Sequence, residues 1–460
     1  MGETTPDDAS AGAAASSHDA FARAAALRDA GDYAGAEALL RDAISRDPAS
    51  AKLRHARGVV LAAMNRPLDA VECYREALAC DPDAIGSWSN LGNALTQLNQ
   101  LHTAIACHQR AIALSGGDDP WLHLNLGNSL AAAGRHEEAV VAFTHALEID
   151  PTFHMARWGR ALAHLYLGNY REGFADYESR KLAGIIPARE LPGRAWDGRP
   201  YPGRRLVVVA EQGFGDMMWA ARYFRRAKAL GGELIVECRR ELLALIEGMG
   251  IADRVVERGE LPRAELHCQL CSLPGLFTTD FASIPSAPYL AVPRERMAKF
   301  APLFERAGRR LKVGMVWSGS AAYAGNWRRA QKLRSFLQAF TLPGVELYAL
   351  QKGPAQAELA EQATSVVDLS PQLDDFADTA AAIAFLDLVI MTDSAVAHLA
   401  GGLGKPVWLL LGRPAYWLWL RGRMDSPWYP SARLFRPRAE GNWDHVFDLA
   451  SAELMRLAKL

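Results

Sequence analysis

Residues 207–224, VVVAEQGFGDMMWAARYF, place Glu211, Gly213, Gly215 and Asp216 between an apolar run and a stretch whose apolar residues recur at helical spacing. An acid held where a strand turns into a helix projects into the cleft beyond the strand and can act as a general base. Asp216 is the candidate base and Glu211 its alternate. The two glycines allow a sharp turn and a close approach of backbone to ligand. Asp216 also has a plainer reading, as the cap of a helix over 217–230, where its carboxylate would satisfy free amides.

Other apolar runs end in the same kind of residue: Trp317-Ser318-Gly319-Ser320, Gln351-Lys352-Gly353, Thr392-Asp393-Ser394 and Gly412-Arg413. Glycines, small hydroxyls and a few cations at strand ends suit a phosphate-bearing ligand, because bare amides and helix N-termini can reach its oxygens. In IMTDSAVAHLAGGLGKPVWLLLG, Asp393 or Ser394 caps a helix that opens at Ala395, and His398 lies one turn further along the same face. Lys352, Ser318, Ser320 and the amides near Ser394 would neutralise a leaving phosphate. Arg328, Arg329 and Arg334 are further anion contacts, and the segment from Arg413 to Trp428 would read a nucleotide base. Each also has an ordinary role open to it: His398 as a core histidine, Lys352 and the arginines as solvated surface charge.

Those residues need parallel sheets to carry them. Short apolar runs alternate with helical ones from LVVVA to DRVVERG, and again from KVGMVWSGS to PVWLLLG, as in sheets covered on both faces. Ligands of such sheets bind beyond the strands' carboxyl ends. The boundaries that follow are a tail over 1–16, a repeat region over 17–185, a linker over 186–205, one α/β half over 206–293, a connector over 294–309 and a second half over 310–460.

The repeat region declares itself by period. From Pro48 to Pro82 is 34 residues, and from Pro82 to Pro151 is 69. Small residues recur at Ala36, Ala70, Ala104 and Ala139 and at Ala43, Ala77, Ala111 and Ala146, with Leu40, Tyr74, His108 and Phe143 between them. Small residues bring two antiparallel helices together, the bulky one fills their groove, and proline closes the unit. This resembles the tetratricopeptide repeat, four units over 17–153 with a divergent fifth as cap. Such solenoids present a concave groove to peptides, and Asn90, Asn93, Asn125 and Asn128 recur where they could bond an extended backbone or simply be solvated.

The strand-end motifs EQGFGD, LQKG, DSAVAHLAGGLGKP and DSPWYPSARLFR together resemble glycosyltransferases of the two-Rossmann (GT-B) type. More narrowly, they are similar to tetratricopeptide-fused proteins whose catalytic part is like the lipopolysaccharide heptosyltransferases. The resemblance implies a helical solenoid followed by two Rossmann-like domains. It also implies an inverting, metal-independent transfer from a nucleotide sugar to a hydroxyl, with Asp216 as base and a protein acceptor recruited by the repeats, bacterial surface or flagellar proteins among the targets. Two rivals stand beside it: a glycolipid or polysaccharide acceptor, or a repeat adaptor whose transferase-like half is inactive. In SAAYAGNWRRAQKLRSF, Arg334-Ser335 fit the resemblance, but the expected acid and histidine before them are missing.

Bulk composition sets limits. The charges nearly cancel, with 51 Lys and Arg against 52 Asp and Glu, so no general field attracts nucleic acid. The N-terminus lacks the basic and apolar regions of a secretory signal, and no apolar run is long enough to span a bilayer, so a cytoplasmic location is expected. Six cysteines show no disulfide framework, and Cys268-Gln-Leu-Cys271 without a second pair reads as buried small hydrophobes. No metal or other cofactor is expected. An Asp-x-Asp after a strand, a dinucleotide Gly-x-Gly-x-x-Gly and a nucleoside-triphosphatase phosphate loop are all missing, which counts against a metal-dependent transferase, a dehydrogenase and an ATPase.

Overall fold

The bulky residue of each repeat lies against a glycine of a neighbouring helix: Tyr74 on Gly58, His108 on Gly92, Phe143 on Gly127 and Gly159, each leaving no room for a Cβ. These contacts are seen in a computed structural model, which describes residues 19–459 except 212, 260, 279, 286, 363–365, 413 and 439–440. The expected tail over 1–16 and the candidate base contact Arg413 lie outside the described residues.

One compact unit extends to His164 and a second from Leu165 to Leu460. In the first, helices Tyr33–Arg46, Ala51–Ala63, Pro67–Cys80, Ile85–Gln97, Leu101–Ser115, Pro120–Ala132 and His136–Ile149 form successive antiparallel pairs. The eight repeated alanines are buried, which sets the close helix spacing. The turns inside the units require a left-handed residue, and the sequence supplies Gly31, Asn65, Asn99 and Gly134, residues that tolerate positive φ. Helix His154–Leu167 begins the divergent fifth unit. Its second helix, Tyr170–Tyr177, belongs to the other unit, because Tyr170 and Phe174 pack on Phe281, Trp219, Trp417 and Trp428. The boundary expected at 185 therefore falls near 164.

The second unit holds two sheets in which the described strands pair with one another in parallel, and an isolated antiparallel bridge joins Asp425 to Arg433. The first contains β1 (Arg194–Ala195), β2 (Arg205–Val209), β3 (Glu233–Cys238), β4 (Arg254–Glu257) and β5 (Leu266–Gln269) in the order β1-β5-β2-β3-β4. The second contains β6 (Leu311–Val316), β7 (Val345–Ala349), β8 (Val367–Asp368), β9 (Leu388–Thr392), β10 (Val407–Leu410) and β11 (Ala432–Phe435) in the order β11-β10-β9-β6-β7-β8. Read from β8, the second sheet has the doubly wound order in which the chain leaves β6 in one direction and returns on its other side with β9.

Two expectations change. The stretch over 186–205 is no linker: β1 pairs with β5, and Trp196 and Tyr201 are buried. The connector over 294–309 is mostly helix Arg294–Glu305, docked by Arg296 and Lys299 on the buried Asp378 of helix Phe376–Phe385. Cys268 and Cys271 are buried, and burial holds both thiols protonated. No described helix is long and apolar enough to cross a membrane.

Candidate functional site

The doubly wound sheet opens between β6 and β9, where the helices that follow them leave in opposite directions. A cavity of about 280 Å³ lies there. Ser318, Gly319 and Ser320 after β6, Gln351 and Lys352 after β7, and Ser394 and Ala395 after β9 all line it, together with Phe214 from the first half. The Phe214 ring lies 5.0 Å from that of Phe376 and carries the Arg239 guanidinium 5.2 Å from its centre, so the first half forms one wall.

Ser394 is the N-cap residue of helix Ala395–Gly402, yet its hydroxyl caps nothing. The backbone N–H groups of Ala395, Val396 and Ser320 donate to no described group. Exposed amides at a helix start are the donors a phosphate oxygen needs.

Asp216 is the third residue of helix Phe214–Ala220, not the cap of a helix beginning at 217. Its Oδ2 accepts the Gly213 N–H at 2.9 Å. Dense surroundings leave the carboxyl only partly open and raise its pKa from 3.8 to about 6, the burial opposed by the Gly213 amide and aided by the charges of Glu211 and Asp393. That brings it toward the range in which a base works best near neutrality.

The two glycines before it differ. A Cβ on Gly215 would sit 2.7 Å from Cδ2 of His398, so only glycine lets the two helices meet. Gly213 has φ −82° and ψ 179°, open to any residue, and a Cβ there would touch only Asp216.

Several expected ligand groups are committed elsewhere. Glu211 is no alternate base: Arg180 donates to both its oxygens at 2.8 and 3.0 Å, and the Cys271 amide adds a bond at 2.8 Å. Both side chains are buried, so the pair ties the turn after helix Tyr170–Tyr177 to the end of β2, and the Cys271 amide adds the segment after β5. Gln351 accepts from the amides of Trp317 and Ser318 and donates to the carbonyls of Ser318 and Lys352, which clamps the ends of β6 and β7 and leaves nothing for a ligand. Lys352 reaches the Ser370 carbonyl at 3.0 Å from an exposed position on the cavity wall. Arg334 is exposed and outside the lining, and Thr392 is buried.

Asp393 is buried, which raises its pKa, while Arg329 at 3.8 Å pulls it back. His398 stacks on Trp419, bonds Tyr429 through Nδ1 at 2.9 Å, and is pushed down to about 3 by burial and by Arg222 and Arg329.

Sequence reasoning missed Asn326. Its Oδ1 accepts from the Gly319 amide and its Nδ2 donates to Ser318 Oγ, so it shapes the loop over the cavity. An asparagine in a basic loop carries no periodic signal to reveal this. Arg180 was hidden likewise, 31 residues from the acid it binds. Among the repeat asparagines, Asn125 bonds Ser89 in the preceding unit at 3.1 Å, whereas the side chains of Asn90, Asn93 and Asn128 bond no described residue.

These features define a helical-repeat unit and an α/β unit with a cavity at the switch point of its second sheet. Residues 27–98 and 83–152 match tetratricopeptide-repeat families, so the N-terminal solenoid consists of tetratricopeptide repeats. The chain is 29% identical to Protein FlbA of Caulobacter vibrioides over 433 residues, which cover 86% of this chain and 71% of that protein. It is also 24% identical over 170 residues to a protein of Hordeum vulgare described as a probable UDP-N-acetylglucosamine–peptide N-acetylglucosaminyltransferase, SPINDLY; the match covers 36% of this chain and 18% of that one. Among solved structures, MamA is 23% identical, with 35% of this chain and 94% of MamA covered at a TM-score of 0.33.

Proposed function

We propose that the protein is an inverting, metal-independent glycosyltransferase of the GT-B type, similar to the heptosyltransferases, which moves a sugar from a nucleotide sugar to a hydroxyl on a polypeptide recruited by the repeats. The observation that carries this reading is the cavity at the β6–β9 switch point, lined by uncapped amides and small hydroxyls, with Asp216, outside that lining, on the helix whose Phe214 forms part of the wall. The donor's phosphates would take the amides of Ser320, Ala395 and Val396, with Lys352 beside them. Asp216 would accept the acceptor's proton as the sugar–phosphate bond breaks. The partial likeness to a peptide-directed sugar transferase supports a protein acceptor.

One observation favours a repeat adaptor without activity: Lys352 and Gln351 spend hydrogen bonds on the protein itself. Thermal unfolding with a panel of nucleoside mono- and diphosphates separates the two. A nucleotide at about 100 times its Kd stabilises the folded state by about 2.7 kcal/mol, and the matching nucleotide sugars are then assayed for transfer. No shift with any nucleotide on folded protein would favour the adaptor.

A further inference from the structure

We infer that Arg222, Tyr289 and Tyr429 form a one-way chain of hydrogen bonds that fixes His398 with its hydrogen on Nε2, so that Arg222 is a positioning residue for that imidazole. The direction follows from donor chemistry. Arg222 is buried, and a guanidinium can only donate. Its Nη2 lies 3.2 Å from the Tyr289 hydroxyl, which therefore accepts and must send its own hydrogen elsewhere. The Tyr429 hydroxyl, at 3.4 Å, is the acceptor in reach. Tyr429 then has one hydrogen to place, and Nδ1 of His398 lies 2.9 Å away. Reversing the chain would aim two donors at the half-buried Tyr289 and leave solvent as the acceptor of its own hydrogen. The order is thus Arg222 to Tyr289 to Tyr429 to Nδ1.

A neutral imidazole that accepts at Nδ1 carries its hydrogen on Nε2. The ring is kept neutral by burial and by the nearby guanidinium. Nε2 bonds no described residue and lies 3.2 Å from where a Cβ on Gly215 would stand, on the side of the helix that bears Asp216. The imidazole therefore presents a donor, not a base, at Nε2, and His398 itself is buried and not among the residues that line the cavity.

Each member of the chain comes from a different segment. Arg222 follows helix Phe214–Ala220, Tyr289 lies before the connector helix with its amide on the Gly402 carbonyl, His398 is in helix Ala395–Gly402, and Tyr429 precedes β11. The Arg222 guanidinium also lies over the rings of Tyr289, Trp428 and Tyr429 at 4.8, 5.1 and 4.7 Å, which holds it in the donating position.

Long-range proton–nitrogen spectra of the full chain with ¹⁵N-labelled histidine report which ring nitrogen is protonated, with His398 assigned by the signal lost in His398→Gln. The expected result is a protonated Nε2 in the native protein, a shift toward the other tautomer in Tyr429→Phe and in Tyr289→Phe, and retention of Nε2–H in Arg222→Lys but not in Arg222→Met. The tyrosine variants delete one oxygen each and keep the test valid should Arg222→Met fail to fold. A hydrogen on Nδ1 in the native protein, or an unchanged signal in Tyr289→Phe, overturns the chain. The readout needs neither nucleotide nor turnover, so failure of the transferase reading would appear separately, as absent nucleotide binding beside the expected tautomer.

Discussion

Replacing Asp216 by asparagine should weaken catalysis and strengthen the fold. The carboxyl titrates near 6 in the folded protein against 3.8 when free, because its charge is partly buried beside Glu211 and Asp393. The folded state then holds a proton more tightly than the unfolded one. Its stabilising share is complete below about pH 3.8 and is lost as pH rises through 6. A rise of that size amounts to about 3 kcal/mol at neutral pH as an upper bound, reduced by the part of the carboxyl that stays wet. The substituted amide would carry no charge, and its carbonyl oxygen could still accept the Gly213 N–H. Urea denaturation of Asp216→Asn should show equal or greater stability than the native protein at pH 7.5, and a flatter stability profile between pH 4 and 6. Transfer should fall by about 10²- to 10⁴-fold, the usual worth of a general base. A variant less stable at pH 7.5 with its transfer intact would refute both the electrostatic argument and the assignment of the base.

Other substitutions test the scaffold. Arg180→Met leaves Glu211 buried without its partner and should cost roughly 3–5 kcal/mol in chemical denaturation, with unfolding observed before any specific loss of nucleotide binding. Gly215→Ala should destabilise by about 1–3 kcal/mol through its clash with His398, and a double-mutant cycle with His398→Ala should recover part of that loss; additive effects would mean the two helices do not meet there. In the solenoid, His108 is buried with both ring nitrogens lacking a partner among the described residues, and burial lowers its pKa to about 4. Its share of stability is present above about pH 6.5 and lost as pH falls toward 4, so the stability gained by His108→Phe should be about 2 kcal/mol larger at pH 5 than at pH 8, read from urea curves at both values.

The solenoid was legible because it repeats. A period of 34 samples each structural role several times, so Ala70, Ala104 and Ala139 explain one another, and Phe143 shows what His108 is doing. Continuous apolar runs also exposed the central strands, since a strand buried on both faces has no polar alternation to blur it. The edge strands β1 and β11 were not legible, being short and set among prolines, and neither was β5, whose Leu266-His-Cys-Gln269 alternates over too few residues to stand out as a strand. At the site, strand-end chemistry located the cavity but could not say which polar groups were free. Gln351 and Glu211 looked available because their partners, two strand-end amides and Arg180, are fixed only once the sheets form.

That division of labour bears on what the cleft would recognise. The amide-bearing side chains, Gln351 and Asn326, are turned toward their own backbone and hold the loops after β6 and β7 in place. The donors left at the cavity wall include the main-chain amides of Ser320, Ala395 and Val396, which cannot be removed by mutation and do not distinguish one phosphate from another. Affinity for a pyrophosphate would thus be insensitive to side-chain change in the lining, while discrimination among sugars would fall to the few groups that contact neither phosphate nor backbone. The loop that carries Tyr323 and Trp327, exposed at 56% and 74%, is where such discrimination has room to act. Substituting Trp327 by alanine should therefore alter which sugar or acceptor is used while leaving the thermal shift by a nucleoside diphosphate unchanged; loss of that shift would instead place the phosphate site in the loop and not at the helix start.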